Sequence, residues 1–244
     1  MSKYFENFPK VFYLFGEEES TVLFQQLTRY VDLIDILRDT TGAYIEYEIR
    51  DGDRPDTLAH RLYGKSEYDW TFFLMNERLR EQGWPKTLQQ LYTYAQNTMF
   101  PNYTVKLNLT EAEVRNLADK YPVGQAVLVQ GSDGVVVRKN LNVGEITISS
   151  DSDITGKTNI SYSDGSNLRP DLQATVYEYQ GTHHYENDSG TYLDFFYQFE
   201  PSKIPITNLE FLISQNDAVK KIRVIKKQYI EQVVGDFKRL LKRT

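Results

Sequence analysis

Three histidines, His60, His183 and His184, are the side chains in this 244-residue chain best suited to proton transfer or metal binding near neutral pH. His60 falls in a short helical pattern with no histidine or carboxylate partner at zinc-ligand spacing. His183 and His184 are adjacent, and neighbours in a strand point to opposite faces, poor geometry for one metal. All three read as surface or core residues. Cysteine is absent, which excludes disulfides, thiolate zinc sites, iron–sulfur clusters and cysteine nucleophiles. With 34 acidic residues some carboxylate pairing is inevitable, and no pair is marked as catalytic. No phosphate-binding loop, dinucleotide glycine fingerprint, nucleophile elbow or HExxH occurs. The expectation is a protein that is not an enzyme and needs no metal or cofactor.

The elements around these residues belong to a chain able to bury a core, with 40% apolar and 25% charged residues. Aromatic content is 14%, and rings concentrate in cores and at the centres of protein interfaces. Net charge is −6, unlike a nucleic-acid coat, yet its distribution is uneven. Residues 219–244 hold nine basic and two acidic side chains, a basic tail on an acidic body. Such a tail implies an acidic partner, a nucleic acid, or docking onto its own body. Apolar runs are far shorter than the ~20 residues a membrane span needs. Met1–Glu6 lacks the basic start and apolar run of a signal peptide, so folding in a cytoplasm is expected.

Phe8–Phe15 reads as extended. Leu23, Leu27, Tyr30, Val31, Ile34 and Leu37 then recur at spacings of three and four, a helical stripe to be buried on its own chain or on a neighbour. Tyr44–Arg50 alternates as a half-buried strand, followed by a tight turn at Asp51–Asp53. Pro55 suits the first turn of a helix through Leu58, Ala59 and Leu62 that Gly64 stops. Ser66-x-x-Asp69 reads as a capping box for a second helix with Trp70, Phe73 and Leu74 on its buried face, ending at Asn76. Thr87 caps a third helix through Leu88, Leu91, Tyr94 and Ala95, and Thr110 caps a short fourth one. Val127–Gln130 and Val135–Arg138 flank Gly131–Gly134, a hairpin signal, and Glu145–Ile148 and Asn159–Tyr162 continue a small antiparallel barrel or sandwich. Residues 166–206 read as long irregular connections. Leu209–Ile213 and Lys221–Lys226 read as two strands, and Ile230, Val233, Val234, Phe237 and Leu241 mark a final amphipathic helix with Lys238, Arg239, Lys242 and Arg243 in its last turns.

Tyr47, Ile49, Gly52, Asp53, Leu58, Tyr63, Gly64, Trp70 and Asn76 together resemble a LysM module, whose βααβ fold binds N-acetylglucosamine polymers such as peptidoglycan and chitin. The turn from Gly52 to Leu58 is three residues longer than the family's, and Glu77–Trp84 replaces its closing loop and strand. In the family those two loops build the glycan groove. Adding Phe5-x-x-Phe8-Pro9-Lys10, Tyr68-x-Trp70-Thr71-Phe72-Phe73 and Ile222–Lys226, the chain resembles the LysM-like baseplate wedge proteins of T4-like contractile-tailed bacteriophages over residues 1–98 and 207–244. That resemblance implies a virion protein, assembled in the bacterial cytoplasm, that joins wedges and helps close six of them around the hub. Its implied partners are other wedge subunits and the sheath-initiator protein, with no nucleic acid or membrane. The alternative is a peptidoglycan-binding module, with vestigial glycan binding as an intermediate case; a lysozyme-like hydrolase is a third reading, with no carboxylate to single out.

The expected fold is α+β: an N-terminal extended and helical interaction segment (1–41), a LysM-like βααβ module (42–98), an inserted small antiparallel β domain (99–206), and a strand pair with a basic helix completing the module (207–244). Lys221–Lys226 is expected to pair with Tyr44–Arg50, since no β-pattern follows Asn76 closely. Trp70 and Phe73 are expected in the core. Phe8, Leu23, Leu27 and Val31, with Lys238, Arg239 and Lys242, are the expected partner contacts, on segments whose apolar stripes a small core leaves exposed.

Overall fold

The computed structural model describes residues 10–14, 21–25, 42–107, 121–140, 142–162, 174–193 and 202–242. Its elements begin with strands β1 (Lys10–Leu14), β2 (Thr21–Gln25) and β3 (Tyr44–Glu48). Helices α1 (Pro55–Tyr63), α2 (Trp70–Met75), α3 (Glu77–Gln82) and α4 (Leu88–Met99) follow. Strands β4 (Asn102–Lys106), β5 (Ala126–Val129), β6 (Ser132–Asn140), β7 (Glu145–Ser149) and β8 (Ile160–Tyr162) come next. Then come β9 (Val176–Tyr177), β10 (Thr182–Glu186), β11 (Tyr192–Leu193) and β12 (Ile204–Thr207). The chain continues with α5 (Asn208–Lys220), β13 (Lys221–Ile225) and α6 (Lys227–Lys242). The fold is mixed α+β, and the chain divides into two compact units, residues 1–87 with 216–244, and residues 88–215.

In the first unit β3 pairs antiparallel with β13, the expected long-range pairing, in a register from Tyr44↔Ile225 to Glu48↔Lys221. Bonds from Lys226 N to Ala43 O and from Ile49 N to Lys220 O extend the ladder at both ends. Glu46 stands opposite Arg223 and Glu48 opposite Lys221, opposite charges that favour this register. Ile222, Val224 and Ile225 bury themselves against Leu58, Phe72, Leu74, Leu79 and the stripe Ile230, Val233, Val234 and Phe237 of α6. The basic helix thus packs its apolar stripe into its own core, which corrects the expectation that this stripe is left exposed for a partner.

The second unit holds a six-stranded antiparallel sheet of order β8-β5-β6-β7-β4-β9, with a core of Tyr103, Val105, Val127, Val129, Val136, Ile146, Ile148 and Ile160. Of the two expected forms, barrel or sandwich, the closed barrel is not seen among the described residues, where this is one open antiparallel sheet. The β5–β6 turn is only Gln130–Gly131, both at positive φ (48° and 83°), so Ser132–Gly134, expected in the turn, already lie in the strand. A three-stranded sheet, β11-β10-β12, gives regular structure to part of the expected irregular stretch.

Other expectations are corrected. Thr21–Gln25 is a strand paired with Lys10–Leu14, so Leu23 is not on a helix; Leu27, Tyr30, Val31, Ile34 and Leu37, like Phe8 and the segment after Thr110, lie outside the described residues. Leu209–Ile213 is helical, within α5, not a strand. Thr207 and Glu210 close a reciprocal box there: Glu210 N donates to Thr207 Oγ1 (3.1 Å) and Thr207 N to Glu210 Oε2 (2.8 Å). Those bonds start a helix where the apolar run suggested a strand. The expected box at Ser66 is absent; Ser66–Tyr68 is a 3-10 turn, and Asp69 caps α2 by accepting from Trp70 N at 2.8 Å. Phe73, expected in the core, packs against it but is only half-buried, while Phe72 beside it is fully buried.

Candidate functional site

The turn after β3 is built by its own side chains. Gly52, at φ 85°, takes the left-handed position that the turn requires, and Asp53 N donates to Arg50 O at 3.0 Å. The Asp53 carboxylate accepts both Arg61 guanidinium nitrogens, at 3.1 and 2.7 Å, and Arg61 Nη2 also reaches the Tyr47 hydroxyl at 2.5 Å. Arg61 thereby holds the Asp53 carboxyl below its ordinary value. Tyr47, on the strand, and Arg61, on the helix, thus lock the turn between them. Trp84 closes it from beyond α3: its indole Nε1 donates to Asp53 O at 2.6 Å, with its ring 6.0 Å from Phe72 and 5.9 Å from Phe73.

The other motif residues serve the fold. Ile49, Leu58 and Tyr63 are core residues, and burial pushes the Tyr63 phenol above its ordinary value. Gly64, at φ 79°, ends α1 with its N–H on His60 O at 2.8 Å. Trp70 is buried, its ring 4.7 Å from Phe237 of α6. Asn76 ties α2 to β13 by bonding both backbone groups of Arg223. The nine residues of the motif therefore build one frame.

The expected partner contacts divide. Leu23 is exposed on β2 and stands directly opposite Phe12 on β1, which is 74% exposed. Lys238 and Arg239 are exposed on α6, with Arg239 paired to Asp236. Glu231 on the same helix bonds Lys65 (2.6 Å) and the Tyr68 hydroxyl (2.8 Å), fixing α6 to the turn before α2.

The histidine pair differs from the sequence reading. β10 bulges against β12 between Thr182 and His184, and this extra residue lets both rings meet: His183 Nδ1 lies 2.8 Å from His184 Nδ1. His184 Nε2 lies 3.0 Å from Glu186 Oε1, and His183 stacks on Phe211 at 3.8 Å between ring centroids. Burial, helped by His184 and Arg138, pushes the His183 imidazole below its ordinary value. Among the described residues no cluster of three or more His, Asp or Glu side chains could hold a metal ion. No described helix is long and apolar enough to cross a membrane.

No protein-family model matches the chain, and no curated protein matches it either.

Proposed function

We propose that the chain is a non-enzymatic structural component of a phage tail baseplate wedge, a clamp that joins neighbouring wedges and promotes closure of six around the hub. In this reading the β3–α1–α2–β13 unit is a LysM-like module used as a rigid frame. Its partners are other wedge subunits and the sheath-initiator protein, and its place is the virion. The observation that carries the reading is the hairpin of β1 and β2, where Phe12 and Leu23 face each other at 74% and 47% exposure. A two-stranded hairpin alone is marginal in water, and an exposed apolar cross-strand pair gains its stabilisation when a neighbour covers it. Trp84 supports the structural use of the module over sugar binding, since its indole is bonded to the Asp53 turn, one of the two loops that build the groove in LysM proteins.

The test mixes purified wedges with wild-type protein or with Phe12→Ser/Leu23→Ser and sizes the products by sedimentation. Closed six-wedge particles should form with wild type and fall sharply with the variant. Closure without any added protein would remove the clamp role. Retention of the wild-type chain on insoluble peptidoglycan, at moderate salt, would favour the glycan-binding alternative.

A further inference from the structure

In the second unit, the end of α4 and the start of β4 share a pocket of about 380 Å³ with the segment Tyr177–Tyr179. The size is that of a small-molecule site. Its lining has two distinct chemistries. One is aromatic: Tyr177 contacts the ring of Tyr179 almost in parallel (5.6 Å, 7°) and that of Tyr103 (5.5 Å, 30°). Tyr103 is buried in the sheet core, so the tyrosine rings lining the pocket are rooted in a rigid element. Phe100 adds a third lining ring, 62% exposed.

The other chemistry is neutral and polar. The side-chain amides of Gln96, Asn97 and Asn102 line the pocket, and none of them makes a hydrogen bond among the described residues. Each amide offers two donors and an acceptor. Glu178 is the only charged residue among the described lining residues; its side chain is buried and its carboxylate is engaged by Arg138. The backbone at Glu178 is also held, its carbonyl accepting from Asn208 Nδ2 at 2.6 Å. Among the described residues no lysine or arginine lines the pocket.

These features select a ligand class. A phosphate-bearing ligand such as a nucleotide would find no cation among the described lining residues to meet its charge. A proline-rich peptide offers carbonyl acceptors and few donors, leaving the amide acceptors unused. A ligand whose groups both donate and accept, and which also carries polarised C–H bonds for the negative faces of aromatic rings, fits both halves. A sugar ring has that make-up. We propose that this pocket binds a neutral saccharide unit, at a place separate from the LysM-like module and independent of the assembly role.

The test titrates the full-length chain by calorimetry with N-acetylchitotetraose, maltotetraose and mannotetraose, taken to about 10 mM. At least one should bind with a Kd of about 1 mM or tighter. Gln96→Ala and Asn97→Ala, at exposed helical positions that fold readily, should each weaken that binding about three- to tenfold. Tyr179→Ala, checked for folding by circular dichroism, should weaken it more. Arg78→Ala, at an exposed position in the other unit, should leave it unchanged. No heat with any of the three sugars overturns the proposal. So does binding that the pocket variants leave intact, which would locate the sugar elsewhere, or tighter binding of an oligoproline peptide or uridine monophosphate than of every sugar.

Discussion

The carboxamide of Asn76 bonds both backbone groups of Arg223, although 147 residues separate them: Arg223 N donates to Oδ1 at 2.8 Å, and Nδ2 donates to Arg223 O at 2.9 Å. Nδ2 also reaches Phe72 O at 2.8 Å, in the last turn of α2. One side chain thus serves as the second partner of a strand whose other edge pairs with β3, and caps the helix beside it. It joins the two stretches of sequence that make up the first unit.

Asn76→Ala removes three hydrogen bonds and leaves backbone groups at Arg223 unpaired by the protein. The expected loss is about 1–3 kcal/mol. Both tryptophans, Trp70 and Trp84, lie in the first unit, so urea unfolding followed by tryptophan fluorescence reports on that unit alone. A midpoint unchanged from wild type would show that water replaces the amide without loss.

Neighbouring aromatics in α2 should respond unequally. Phe72 is fully buried and Trp70 packs on Phe237, so truncating either to Ala should cost about 3–5 kcal/mol. Phe73→Ala should cost clearly less, because its ring is half-buried. Equal losses at positions 72 and 73 would contradict the observed burial.

The pairing of β3 with β13 is legible because Tyr44–Arg50 alternates, needs a partner, and finds no β-pattern soon after Asn76. The Gly52, Pro55 and Gly64 punctuation is legible because each residue has a backbone reason to be there. Leu209–Ile213 misleads because a short apolar run suits strand and helix alike, and only the Thr207–Glu210 box decides between them. Leu23 misleads because its helical spacing continues to Leu37, whereas Thr21–Gln25 is rich in β-formers and pairs with β1. The histidine contact follows from a bulge, and a bulge has no signature in a pattern of period two. The pocket of the second unit joins residues some 80 positions apart, with no sequence motif to announce it.

His183 should make the second unit sensitive to acid. His183 has its imidazole held below the ordinary 6.5, first by burial and then by His184 and Arg138; Glu186 faces His184, and Glu178 engages Arg138. The fold favours neutral His183, so the unfolded chain binds more protons as pH falls below about 6.5. This contribution is fully present above that value and declines below it. His183→Phe keeps a ring against Phe211 and removes the titration. Tyrosine circular dichroism between pH 7.5 and 5 should show a larger fall in melting temperature for wild type than for the variant. Parallel falls in both proteins would assign the acid sensitivity elsewhere.

The last prediction separates charge from packing on α6. Its stripe Ile230, Val233, Val234 and Phe237 is buried in the first unit, so a partner contact made by this helix falls on its exposed face, which carries Lys238 and Arg239. Lys238 and Arg239 are exposed, and Arg239 pairs with Asp236 three residues earlier, a surface pair of small energetic consequence. Reversing Lys238, Arg239 and Lys242 to Glu leaves the buried stripe untouched but sets three anions at a helix C-terminus, each costing about 0.3–1 kcal/mol. The triple variant should therefore fold, with a modestly lowered urea midpoint. If an acidic wedge surface lies opposite, its closed-particle yield should fall, and the deficit relative to wild type should widen as salt is lowered, because screening then weakens. Sedimentation of wedge mixtures at two salt concentrations reads this directly. Equal yields at both concentrations would leave the hairpin of Phe12 and Leu23 as the contact that carries assembly.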